Sequence, residues 1–170
     1  GGSDGLSLGI GEGGEGLGPK RTAGVGDDKI KKRIPRNSLA LWNLGFKDIN
    51  TLLHDGRVTK SNIFGNNFNT PAQEALPKGL DNIVAVQALF PMTRQFEMAG
   101  NPGENEIIGL VSKVGKDSMR IDAVWPVITN RIRAIPEYVE LFKSTFDDID
   151  NALDINITHV VNSIAAFEIH

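Results

Sequence analysis

The chain contains no cysteine. These residues therefore hold no disulfide, no thiolate metal site and no thiol nucleophile. No run of 18 apolar residues is present, so no segment reads as a membrane-spanning helix. Aromatic residues make up only 6% of the 170, too few for a base-stacking surface, and the formal charge of −3 offers no general attraction for a phosphate backbone. Nucleic acid is thus not an expected partner. Residue 1 is not Met, and no charged and apolar leader follows it, so a processed product or a fragment is expected. The absence of cysteine then says nothing of the redox compartment. What is present is one domain's worth of chain. At this size it can bury roughly 70% of its unfolded surface.

Glycine is unevenly spread. Residues 1–26 hold 11 of the 19 glycines. Glycine loses too much backbone freedom in a helix or strand, so a long loop is expected there. Lys29, Lys31, Lys32, Arg33 and Arg36 make residues 27–36 basic, either as a solvated linker face or as a docking patch for an acidic partner. Residues 1–36 together read as a Gly-rich and basic loop. Asn37-Ser38 can cap a short apolar helix through Leu39, Ala40, Leu41, Trp42 and Leu44, stopped by Gly45. Residues 47–82 are rich in turn formers, and 58–80 reads as a surface loop excursion.

From Asp81 the pattern becomes helical. Asp81-Asn82 caps a helix carrying Ile83, Val84, Val86, Leu89 and Phe90 up to Pro91. Ile107, Ile108, Val111 and Val114 make a second stripe, and Val124, Val127, Ile128, Ile132 and Ile135 a third. Pro136 is placed as the first residue of a helix over 137–146. Asn156 or Thr158 caps a last helix with Val160, Val161, Ile164, Ala165 and Phe167. Strand signals are weak throughout. The expected fold is all-α, loop-rich in its N-terminal part, with helices from about residue 81 onward.

The motifs are weighed against plainer readings. Gly11-Glu12-Gly13-Gly14-Glu15-Gly16 matches a dinucleotide fingerprint but lacks the strand before it and the helix after it. Its two carboxylates would also repel a pyrophosphate. His54, His159 and His170 have no metal-ligand spacing. His159 reads as a surface residue at the start of the last helix. His54, between Leu52-Leu53 and the turn Asp55-Gly56-Arg57, has a pocket or bridging role open to it. Gln87 and Glu97 lie ten residues apart across Pro91, so a helix end and a turn can bring an amide and a carboxylate to one cavity. Beside Met92, Phe96 and Met98 such a carboxylate can serve as an acid–base group, or it is a solvated loop residue.

The ordered set of segments resembles the bacterial di-haem cytochrome c peroxidases, including their MauG-like branch. Gly1-Gly2-Ser3-Asp4-Gly5-Leu6 to Ile10-Gly11 is similar to the stretch after that family's first haem-attachment motif. Gly18-Pro19 and Arg36-Asn37-Ser38 to Trp42-Asn43 resemble its next segment. His54-Asp55-Gly56-Arg57 resembles its W/H-D-G-R signature, and Gln87-Ala88-Leu89-Phe90-Pro91 with Glu97-Met98 its Q-A-x-x-P and E-M signature. Ile135-Pro136-Glu137-Tyr138 with Phe142, then Ile157-Thr158 to Ala165-Ala166-Phe167-Glu168, resemble the end of its first haem domain.

The resemblance implies most of a cytochrome c-like peroxidatic haem domain over 1–170, lying between two C-x-x-C-H motifs that are absent here, with 58–80 as a loop insertion. It implies two c-type haems and calcium in the full-length protein, and a periplasmic location. Implied partners are hydrogen peroxide, a small electron donor such as a cytochrome c or copper protein, a second haem domain of the same chain, and a second copy in a homodimer. The catalytic residues carried over are Glu97, as the distal carboxylate that moves peroxide's proton, and Gln87, as a distal amide. Asn37 is matched to calcium. Glu12, His54 and Arg57 are matched to the haem surroundings. Glu12 stands where the family's classical peroxidases carry a ligating His, so a five-coordinate peroxidatic haem is expected. His54 stands where many members carry Trp, which leaves a hydrogen-bonded bridge rather than aromatic hole-hopping. The 170 residues alone are expected to be inactive. The alternatives from other classes are a MauG-like enzyme oxidising a protein substrate and a haem-free scaffold domain.

Overall fold

A computed structural model describes residues 39–40, 42–94, 98, 107, 110 and 121–170. The expected loop over 1–36 and the candidate residues Glu12, Asn37 and Glu97 lie outside the described residues, and of the apolar stripe Ile107 to Val114 only Ile107 and the neighbouring Leu110 are described, both helical. The chain divides into two compact units, Gly1–Ala40 with Phe90–Val124, and Leu41–Leu89 with Trp125–His170.

In the second unit three short strands come first: β1 (Thr51–Leu52), β2 (Val58–Lys60) and β3 (Phe68–Asn69). They form an antiparallel sheet in the order β1-β2-β3, with Leu52 opposite Val58 and Lys60 opposite Phe68. Leu52, Val58 and Phe68 are buried, and this inward face holds the sheet in place. The fold is therefore mostly helical, not all-α. Strands of two or three residues display no readable alternation, and pairing rather than propensity creates them. The same finding revises the surface excursion over 58–80, since that stretch supplies two strands and buries Val58, Phe68, Thr70, Ala72 and Leu76.

The helix expected through residues 39–44 is replaced, among the described residues, by turns. Asn43 takes a left-handed backbone with φ 64°, which ends any helix, and its carbonyl accepts the Phe46 amide at 3.2 Å. Trp42 is left 76% exposed.

Four α-helices are present among the described residues. The first, α1 (Ile83–Ala88), is capped by Asn82, whose Oδ1 accepts from Val84 N at 2.9 Å and Ala85 N at 3.0 Å. This is the cap read from the sequence. Every α1 side chain but Gln87 is buried. The second, α2 (Val124–Arg133), follows a 3-10 turn over Ile121–Ala123 and buries Val124, Trp125 and Thr129. The third, α3 (Pro136–Thr145), begins with proline at its first position, where the missing N–H is no loss. Its last turn stacks Phe142 on Phe146 at 5.8 Å. The last, α4 (Ile157–Ile169), is capped by Asn156. Within this unit α1 packs against α4 on one side and against β1 and β2 on another.

Replacing Asn82 with alanine leaves two amides of α1 without their acceptor. Unfolding in urea is expected to show a loss of about 1–2 kcal/mol, with Asn82→Asp retaining most of it.

Candidate functional site

Two of the nominated residues share the β-sheet hairpin. The five residues joining β1 to β2 are Leu53 to Arg57, which contain His54-Asp55-Gly56-Arg57. The loop is tight: Gly56 N donates to Leu53 O at 3.0 Å. Leu53 and Gly56 both have positive φ, 69° and 65°. Glycine adopts this freely, whereas a leucine does so only when its surroundings enforce it. Part of that enforcement is visible. Arg57 Nε donates to both carboxylate oxygens of Asp55 at 2.9 Å, and a second guanidinium nitrogen reaches Oδ2. Asp55 Oδ1 also accepts the Arg57 backbone amide at 3.3 Å. The guanidinium fork thus closes the hairpin loop on itself, and His54 stands exposed at its tip. Thr59 completes the turn, its hydroxyl donating to Gly56 O at 2.6 Å.

Gln87 comes from α1. Its neighbours Val86 and Ala88 are buried, and it alone in that helix is partly exposed. The amide is thus a polar group held at the rim of an apolar helix. The end of that helix is fixed by Trp125, whose indole N–H donates to Leu89 O at 3.1 Å. Trp125 is itself buried, and Thr129 returns a bond to its carbonyl at 2.8 Å. In the other unit Pro91 opens a 3-10 turn, Pro91–Thr93, and the Thr93 hydroxyl donates to Phe90 O at 2.7 Å. Because α1 packs on β1 and β2, the Gln87 helix and the His54–Arg57 hairpin belong to one packed body. Glu97, Glu12 and Asn37 lie outside the described residues.

His159 departs from the surface position expected for it. It is only 8% exposed, accepts the Asn156 amide at Nδ1 and meets Asp148 at Nε2. The Asn156-x-x-His159 spacing of a capping box is the sequence signal that identifies it. The role of Trp125 has no such signal, since its acceptor lies 36 residues away.

An open apolar groove of about 190 Å³ is lined by Tyr138, Leu141, Phe142, Thr145, Phe146 and Ser163. None of the nominated residues lines it. Among the described residues no three His, Asp or Glu side chains converge as ion ligands, and no helix is long and apolar enough to cross a membrane.

The described residues thus define a mostly helical protein with a small antiparallel sheet, in which one buried helix displays a lone amide. A family model for di-haem cytochrome c peroxidase matches residues 3–170. The chain belongs to that family. No curated protein and no solved structure gives a significant match.

Membership implies c-type haems. The residues present do not fit a covalently attached haem by themselves. Thioether links need cysteine thiols, and these 170 residues have none. Among the histidines, His159 has both ring nitrogens engaged, while His54 and His170 are exposed.

Two outcomes follow from these contacts. Trp125→Phe removes the donor to Leu89 O together with part of the buried indole volume, and denaturant unfolding is expected to show a loss of about 2–3 kcal/mol. Burial also raises the Glu168 carboxyl above its usual range. A folded-state pKa above the unfolded one gives stability that is full below the unfolded pKa and declines as pH rises through the folded pKa. Glu168→Gln is expected to flatten that decline, read as urea midpoints measured against pH.

Proposed function

We propose that these residues form most of the peroxidatic domain of a periplasmic di-haem cytochrome c peroxidase. The reaction is the reduction of hydrogen peroxide to two waters, with two protons and two electrons from a small redox protein. The observation that carries this reading is the display of Gln87. In a helix that buries every other side chain, one amide is held out, just before Pro91 in Gln87-Ala88-Leu89-Phe90-Pro91.

The residue roles follow from the matched segments. The Glu97 carboxylate is matched to the residue that would take a proton from one peroxide oxygen and return it to the other, while a haem bound in the full protein would supply the electrons for O–O cleavage. The Gln87 amide holds the peroxide or a water by hydrogen bonding. Asn37 gives its side-chain oxygen to calcium, a cation that takes oxygen ligands. The Arg57–Asp55 fork fixes the hairpin that carries His54, which is matched to the region between the two haems. Glu12 replaces an imidazole at the position matched to a haem ligand. In this reading the cysteines that anchor the haems belong to other parts of the full protein. A second copy in a homodimer is part of the same reading.

The test is Glu97→Gln in the full haem-loaded protein. Peroxide turnover with a small electron donor is expected to fall about 10²–10⁴-fold, while Gln87→Leu raises the peroxide concentration needed for half-maximal rate. Unchanged turnover in Glu97→Gln would remove the acid–base role. A wild-type protein that ignores the small donor but oxidises a protein substrate would put the MauG-like reading in its place. A wild-type protein that binds no haem would leave the scaffold reading.

A further inference from the structure

His159 sits at the third position of α4 and gathers three contacts. The Asn156 backbone N–H donates to its Nδ1 at 3.1 Å. Its Nδ1 therefore carries the lone pair, and in the neutral ring the proton is on Nε2. That nitrogen lies 3.2 Å from Oδ2 of Asp148 and donates to it. The ring packs on Phe146 with centroids 4.9 Å apart, tilted by 53°. Meanwhile Asn156 Oδ1 accepts from Thr158 N at 2.9 Å and His159 N at 3.3 Å. This is a reciprocal capping box with an imidazole where Glu or Gln usually stands. The substitution changes the chemistry. A glutamine at this place accepts at any pH, whereas an imidazole that gains a proton has no acceptor left.

We propose that His159 is a pH-sensitive latch on the N-terminus of α4: neutral, it closes the cap by accepting the Asn156 N–H, and protonated, it turns two donors toward each other and releases it. The groups around it set the balance. Asp148 on the preceding loop favours the charged ring, but that carboxylate is 73% exposed and screened by water. The positive end of the α4 dipole opposes the charge. On the same loop, Asp154 is occupied by the amides of Asp150 and Asn151. From α2, Arg133 adds a cation, held on the carbonyls of Leu153 and Ile155. The segment bonded to the first turns of α4 carries Lys78 and Asp81, and α1 carries no titratable side chain. On α3, Lys143 pairs with Glu140 at 3.3 Å. The charged ring thus gains a screened ion pair and loses a part-buried hydrogen bond between residues three apart, so the change is local to residues 156–160.

Amide exchange of the intact protein tests this, corrected for the intrinsic pH dependence of exchange and followed from about pH 8 to about pH 5, across the range in which histidines titrate. Protection at Asn156 is expected to fall about five-fold on acidification, the equivalent of one cap bond. His159→Gln is expected to abolish that fall. A wild type with no fall at Asn156, or a His159→Gln profile that matches the wild type, would overturn the latch. Should His159→Gln not fold, a fall at Asn156 that His159→Asn leaves in place would do the same.

Discussion

A six-residue helix has no stability of its own in water, because nucleation costs more than so few hydrogen bonds return. That constraint governs the second unit. The α1 helix exists because five of its six side chains are buried, against α4 on one side and the β1–β2 hairpin on another. Its two ends are finished by polar groups from outside the helix proper. Asn82 satisfies the first amides, and the Trp125 indole takes the carbonyl of Leu89. A helix so short and so buried tolerates one exposed polar residue, and that residue is Gln87.

The loops around this core are tied down by side chains rather than by further regular structure. Arg133 reaches from α2 to the carbonyls of Leu153 and Ile155, just before the α4 cap. Asn162 of α4 donates to Gly79 O and accepts from Asp81 N, and Thr158 donates to Lys78 O. The segment leading into α1 is therefore fastened to α4 before α1 begins. Most of these bonds are exposed, so they matter more for specifying the loop path than for net stability. His159 belongs to the same set of fastenings and is the only ionisable side chain among the buried polar residues described.

Family membership and structure bear on different parts of the functional argument. Membership carries the haems, for which these residues supply no thiol. The structure carries the scaffold: a hairpin closed by an Arg–Asp fork and a helix that holds one amide at its rim. The helix is a product of packing, whereas the fork is a local contact between residues two apart.

Much of the helical part was legible in the sequence because its signals are local. Of the cap candidates Asp81-Asn82 and Asn156 or Thr158, Asn82 and Asn156 are the caps, and Pro136 opens α3 as its fixed φ suggests. The Gln87 helix and its stop near Pro91 are equally local. Other features were not legible. The sheet depends on pairing among strands of two or three residues, which carry no period of their own. Asn43 and Leu53 adopt positive φ that composition does not announce. The sequence by itself determined where the later helices begin and end, because caps, prolines and apolar spacing act within a few residues. Only the tertiary structure decided that 58–80 is packed, that Trp125 anchors Leu89 and that His159 is buried against Phe146 with Asp148 at its second nitrogen. Each of those depends on partners brought together by folding, and no local pattern encodes them.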